Sequence, residues 1–93
     1  METEVVKEKV MQYIQNNFLY GENTEDVGDN ESLIGKGYID STGIIGLVAF
    51  IEKTFAIPVY DHEIIPENLD SIHNILVYIS KKIEAIDSAK VRR

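Results

Sequence analysis

Apolar residues recur at helical spacing in three stretches of this chain, and no stretch alternates apolar and polar residues long enough to make a strand. From about Glu4 to Phe18, Val6, Val10, Tyr13, Ile14 and Phe18 share one face, with Lys7, Glu8, Lys9, Gln12 and Asn16 between them. That spacing predicts an amphipathic helix. From Ser41 to Phe55, Ile44, Leu47, Val48, Ile51 and Phe55 follow the i, i+3, i+4, i+7, i+11 pattern of a stripe facing a core. The third stripe is Ile72, Ile75, Leu76, Ile79, Ile83 and Ile86, capped by Asp70 or Ser71, with Lys81 and Lys82 expected near the negative end of its dipole. Pro66-Glu67-Asn68-Leu69 suits one short helical turn, because Pro is well placed at the first helical position. The expected fold is all-α: a small bundle of three longer helices plus one short helix, with a long loop between the first and second. It is read as one domain, 1–93, with a core over about 4–86 and a frayed tail over 87–93.

The loop from Leu19 to Ile39 is long for so small a domain and needs anchors. Leu33 and Ile34 are the expected ones. Five acids fall between Glu22 and Glu31 without one base. Asp26, Asp29 and Glu31 lack the one-three-five ligand spacing and the closing Glu of a calcium loop, so a solvated acidic loop is the reading.

Composition narrows the function. With 93 residues, 16 acids and 9 bases, the formal charge is −7, which opposes nucleic acid and anionic membranes and favours basic partner surfaces. The absence of Cys excludes disulfide, thiolate-metal and cysteine-nucleophile chemistry. His62 and His73 have no metal-ligand partner at helical spacing and are expected as solvated or boundary residues. The opening Met1-Glu2-Thr3-Glu4 is not a secretory signal, and the apolar run from Ile44 to Ile51 is too short to span a bilayer. A soluble, cytoplasmic monomer is expected, with no transmembrane segment and no nucleic-acid partner.

The candidate chemistry lies in Gly37-Tyr38-Ile39-Asp40-Ser41-Thr42-Gly43, where the acidic loop gives way to the second helix. A Ser there faces unpaired backbone N–H groups and the positive end of the dipole, which together favour a phosphate. Asp and Ser are also the commonest N-cap residues, so the local sequence by itself favours a plain cap, and the rest of the chain has to decide. Thr42, Ile45, Ala49 and Glu52 fall on a second face of that helix, free to meet a partner. Gly43 and Gly46 each cost about 1 kcal/mol relative to Ala in a helix, and are either tolerated or admit a partner to the backbone.

Over about Val5 to Lys82 the chain resembles an acyl carrier protein. The resemblance rests on the first amphipathic helix, the long acidic loop, the Gly-x-x-Asp-Ser pattern at Gly37, Asp40 and Ser41, the apolar helix ending in Phe55, and the last helix after Leu69-Asp70-Ser71-Ile72. It implies an acyl-carrier-like bundle in which Ser41 takes a 4'-phosphopantetheine arm from coenzyme A through a phosphopantetheinyl transferase. Asp40 would help hold the transferase's magnesium. A carrier is not an enzyme: it presents a thioester on the arm to an acyl- or aminoacyl-activating enzyme and to an acyltransferase or condensing enzyme.

Departures from the common pattern bear on which partners these are. Carriers of fatty-acid synthesis usually have a large apolar residue after the Ser and an acidic second helix. Here Thr42 follows, and between Ser41 and Phe55 there is one acid, Glu52, and one base, Lys53. A specialised free-standing carrier is expected, docking by apolar contact and serving a lipid, lipopolysaccharide or polysaccharide, or secondary-metabolite pathway. An aminoacyl or peptidyl carrier loaded by an adenylating enzyme fits the neutral helix as well. From another class, the chain reads as an unmodified acidic interaction module. Catalysis lacks a general base, metal cluster or nucleophile pair, and a helix-turn-helix reading is opposed by the charge.

Overall fold

The computed structural model describes residues 3–18 and 28–91, with side chains over 4–18 and 28–86. The described residues form four α-helices and one 3₁₀ turn, without strands: α1 Thr3–Phe18, α2 Ser41–Phe55, the turn Asp61–Glu63, α3 Pro66–Leu69 and α4 Ile72–Val91. Three longer helices and a short one are what the apolar spacing predicts; the 3₁₀ turn carries no periodic signal. The backbone of α4 stays helical to Val91, into the segment expected as a tail. Lys81 and Lys82 therefore stand in mid-helix, away from the negative end of the dipole.

Helices α1, α2 and α3 all pack on α4. The core takes Val6, Val10 and Ile14 from α1, Leu47, Ile51 and Phe55 from α2, and Ile72, Ile75, Tyr78 and Ile79 from α4. Each set repeats at three or four residues, so burying one face of each helix accounts for most of the fold. Tyr13 stacks on Phe50 with ring centroids 4.2 Å apart and meets the edge of Phe18 at 5.8 Å, which joins α1 to α2 at the margin of the core. α2 ends at Ala56, which takes the left-handed conformation (φ 55°, ψ 44°) and turns the chain so that Ile57 re-enters the core.

Residues 19–27 of the long loop, with Gly21, Glu22, Glu25 and Asp26, lie outside the described residues. The remainder of the loop is anchored, but not by both expected residues. Leu33 is fully buried, whereas Ile34 is 46% exposed, and Ile39 takes the second core position. The cause is a tight turn through Gly35 and Gly37, the latter at φ +79°. Tyr38 and Ile39 both donate their N–H groups back to the Leu33 carbonyl, at 2.9 and 3.3 Å, which turns Leu33 and Ile39 inward and leaves Ile34 outside.

Asp70 ties this turn to α4. Its carboxylate accepts from the Ser32 hydroxyl at 2.5 Å and the Ile34 N–H at 2.8 Å, while its carbonyl accepts from the Leu33 N–H at 2.6 Å. The His73 N–H donates to the Asp29 carbonyl at 2.8 Å. With Asp70 so engaged, the cap of α4 falls to Ser71, whose Oγ accepts the Asn74 N–H at 3.0 Å. Asp29 and Glu31 also have partners in the chain: Lys7 lies 3.3 Å from Asp29, and Glu31 accepts the Gly28 N–H at 3.0 Å.

Candidate functional site

Asp40 precedes α2 in extended conformation, and its Oδ1 accepts the Gly43 N–H at 2.8 Å. It is the N-cap, so Ser41 is the first helical residue and has no capping role. Ser41 is exposed, and its hydroxyl has no hydrogen-bond partner among the described residues. The N–H groups of Ser41 and Thr42 are likewise unpaired there, because the first helical bond runs from Ile44 to the Asp40 carbonyl at 3.0 Å. A primary hydroxyl with two free amides and the positive end of a helix beside it is an arrangement that accommodates an attached phosphate.

Thr42, Ile45, Ala49 and Glu52 are all exposed, and Ile45 is the most exposed large apolar side chain described, at 71%. They do not form one uniform face. The Glu52 carboxylate accepts the Val59 N–H at 3.0 Å and so braces the chain after α2. The glycines point the other way. A Cβ on Gly43 would come within 2.8 Å of the Phe18 ring and 3.1 Å of the Ile39 side chain, and one on Gly46 within 3.1 Å of the Tyr13 hydroxyl. These positions admit α1 to the backbone of α2, not an external partner. Both histidines are exposed, and the His62 ring lies parallel to Tyr60.

Beyond Ser41, on the side of Ile44, a small apolar cleft of about 80 Å³ opens between α2, the loop and α3. Ile34, Ile44, Ile64, Ile65 and Leu69 line it, with Pro66 and Asp70. Residues three apart on a helix are neighbours, so Ile44 brings the cleft alongside Ser41. On the other flank, Phe18, Gly37, Tyr38, Asp40, Thr42 and Gly43 border a larger depression of about 450 Å³. No periodic pattern in the sequence marks the cleft. Its signal was faint: isoleucines at 34, 64 and 65 that belong to no periodic stripe.

A polar cluster stands behind Ile64 and Ile65. Glu63 Oε1 accepts from the Tyr60 N–H at 2.9 Å, the Tyr78 hydroxyl at 3.1 Å and the Lys82 ammonium at 2.9 Å. Lys82 also lies 4.6 Å from the centre of the Tyr60 ring. Burial alone would raise the Glu63 carboxyl, but the bonds from Tyr60, Lys82 and Tyr78 together hold it below its ordinary value. Burial, then the bond to Glu63, push the Tyr78 phenol well up. Lys82 thus pairs with Glu63 instead of serving a helix end. Two of the acids between Asp61 and Asp70, Glu63 and Asp70, face in-chain partners, while Asp61 and Glu67 remain exposed.

Among the described residues there is no group of three side chains placed to hold a metal ion, and no helix is long and apolar enough to cross a membrane. No family model and no curated protein matches the chain. Six chains of solved structures do. One, from a structure named "Crystal structure of FAD-dependent dehydrogenase", is 27% identical, with a TM-score of 0.65, over 75% of this chain and 97% of that one. Since 75% of 93 residues is about 70, and these span 97% of it, the matched chain is about 72 residues long. The likeness bears on the helical fold.

Proposed function

We propose that this protein is an acyl carrier that holds its cargo as a thioester on a 4'-phosphopantetheine arm attached to Ser41. The observation that carries the reading is the division of labour at the start of α2: Asp40 caps the helix, which leaves the Ser41 hydroxyl exposed and unbonded. In the attachment step, Ser41 Oγ attacks the β-phosphorus of the coenzyme A pyrophosphate. A new O–P bond forms, the pyrophosphate bridge breaks, adenosine 3',5'-bisphosphate leaves, and the hydroxyl proton passes to a base of the transferase. The Asp40 carboxylate, adjacent in sequence, suits a hard cation such as the transferase's magnesium. The phosphodiester then lies beside the free N–H groups of Ser41 and Thr42, where the helix dipole favours it. The arm supplies the thiol that this cysteine-free chain lacks.

The lining of the cleft beside Ile44 favours an acyl over an aminoacyl cargo: an ammonium group there would face isoleucine side chains, and the one carboxylate in the lining, Asp70, is already engaged by the Ser32 hydroxyl and the Ile34 N–H. The exposed Thr42, Ile45 and Ala49 favour docking by apolar contact, as in a specialised pathway whose activating and acyl-transferring enzymes present a matching surface. The test is intact mass after incubation with coenzyme A, magnesium and a broad-specificity phosphopantetheinyl transferase. The native chain is expected to gain one phosphopantetheine and Ser41→Ala none. No gain by the native chain would leave a helical interaction module with Asp40 as its cap.

A further inference from the structure

The walls of the cleft beside Ser41 are not parts of a long helix. Ile34 sits on the turn held by Asp70, and Ile64 and Ile65 sit between the 3₁₀ turn and α3. Ile64 has φ −86° and ψ 75°, and the Ile65 N–H donates to the Glu63 carbonyl at 3.0 Å, which makes an inverse γ-turn with Ile64 at its centre. One such bond does not hold a wall in place. Glu63 does so from both of its ends. Its carbonyl also accepts the Asn68 side-chain amide at 2.8 Å, and its carboxylate is fastened to α4 by Tyr78 and Lys82. The pair is well sheltered, with side chains 19% exposed at Glu63 and 16% at Lys82.

We infer that Glu63 is a positioning residue that sets the width of this cleft, and that the cleft so set admits only a short apolar group of about three to four carbons borne on Ser41. This rests on the carrier reading and names its class of cargo. An engineered cavity of about 150 Å³ holds a six-carbon benzene, so a cleft of about 80 Å³ takes roughly half as much. A longer chain fits only if Ile64 and Ile65 move outward, and the bonds of Glu63 to Tyr60, Tyr78 and Lys82 oppose that. Gln at position 63 keeps the shape but not the charge. Its neutral carbonyl oxygen holds the three donors of Oε1 less strongly than a carboxylate does, its amide nitrogen replaces the Oε2 that accepts from Lys82 at 3.1 Å with a second donor, and the wall loosens.

The test is a chain-length series on Ser41, acetyl, butyryl, hexanoyl and octanoyl phosphopantetheine, read as Tm. For the native chain Tm is expected to rise to butyryl, by up to about 3–6 °C for each methylene buried, and then to level off. In Glu63→Gln every Tm falls, and the break moves to hexanoyl or beyond. A Glu63 that merely supports the fold would lower all values equally and leave the break at butyryl, which overturns the inference. A native series that climbs through octanoyl, or one flat from acetyl onward, overturns it too. If Glu63→Gln does not fold, Lys82→Met keeps two of the three donors and is expected to move the break the same way. If Ser41 accepts no phosphopantetheine, the carrier reading fails on that ground alone. Ser41→Cys, which gives the chain its sole thiol, then carries methyl to octyl disulfides: a Tm that breaks within this series, and at a longer chain in Glu63→Gln, supports the cleft, and a series without a break overturns it.

Discussion

Substitution of Asp40 separates the cap from the chemistry, because Asn retains one function of the carboxylate and Ala retains neither. The bond from the Gly43 N–H to Asp40 Oδ1 is 2.8 Å long and joins the N-cap to the third helical residue. Replacing such a cap by Ala costs typically about 1 kcal/mol. The negative charge at the positive end of the dipole contributes about 0.3–1 kcal/mol more at low salt. Asp40→Ala therefore loses about 1–2 kcal/mol, or about 4–16 °C in Tm for a domain of this size. Asp40→Asn still accepts the Gly43 N–H and loses only the charge, about 0.3–1 kcal/mol. At about 1 M salt the Debye length shrinks to about 3 Å, so the gap between Asn and the native chain closes while the deficit of Ala persists. The assay is thermal melting by circular dichroism at low and high salt, with the rate of phosphopantetheine transfer measured on the same samples. If Asp40 helps hold magnesium in the transferase, Asp40→Asn loads at least about tenfold more slowly, equivalent to about 1.4 kcal/mol in the barrier. Equal melting of Asn and Ala at both salts would refute the cap argument, and native-rate loading of Asp40→Asn would confine Asp40 to capping.

Ala56→Gly is expected to stabilise the fold. The left-handed conformation costs an L-residue about 1–2 kcal/mol, against about 0.4–1 kcal/mol for the greater freedom of Gly in the unfolded chain; a lower urea midpoint would contradict this. The Glu63 cluster gives stability a pH dependence at both extremes. The Glu63 carboxyl is held below its unfolded value of 4.5, so its contribution is complete above that pH and is lost as pH falls through the lower folded value. The urea-midpoint gap between the native chain and Glu63→Gln is therefore expected to be constant from pH 7 to about 5.5 and to close in acid. Tyr78 acts in the opposite sense: its phenol is raised above 10.0, so its contribution is present below that pH and lost as pH rises, and Tyr78→Phe lacks this alkaline loss.

The helices were legible because each solves a local problem. Ile44, Leu47, Ile51 and Phe55 have to share a face, and only a period near 3.6 lets them. The turns obey longer-range constraints. Whether Leu33 or Ile34 enters the core depends on Asp70, whose carboxylate holds the Ile34 N–H across 36 residues. Where Ile64 and Ile65 point depends on Lys82, 19 residues beyond Glu63. Neither constraint has a period, and the pairs Leu33-Ile34 and Ile64-Ile65 look alike in sequence. For the same reason Lys82 read as a helix-end cation and Gly43 as either tolerated or an opening for a partner, when each answers to a residue of another element: Glu63 in one case, Phe18 in the other.

The site falls between these two cases. Asp40 and Ser41 are both good N-cap residues, so local sequence alone does not say which of them caps α2. Packing removes the ambiguity. Ile39 must be buried and Leu47 and Ile51 must face α4, which fixes the rotation of α2 and puts its first helical residue at Ser41. Asp40 then lies one position outside the helix, where its carboxylate meets the Gly43 N–H, and the Ser41 hydroxyl is left to solvent. The core that fixes this rotation also places Ile44 between Ser41 and the cleft. Exposure of the hydroxyl and proximity of an apolar recess are therefore two results of one packing decision. A substitution that rotates α2, such as a larger residue at Gly43 against the Phe18 ring, is expected to disturb both together.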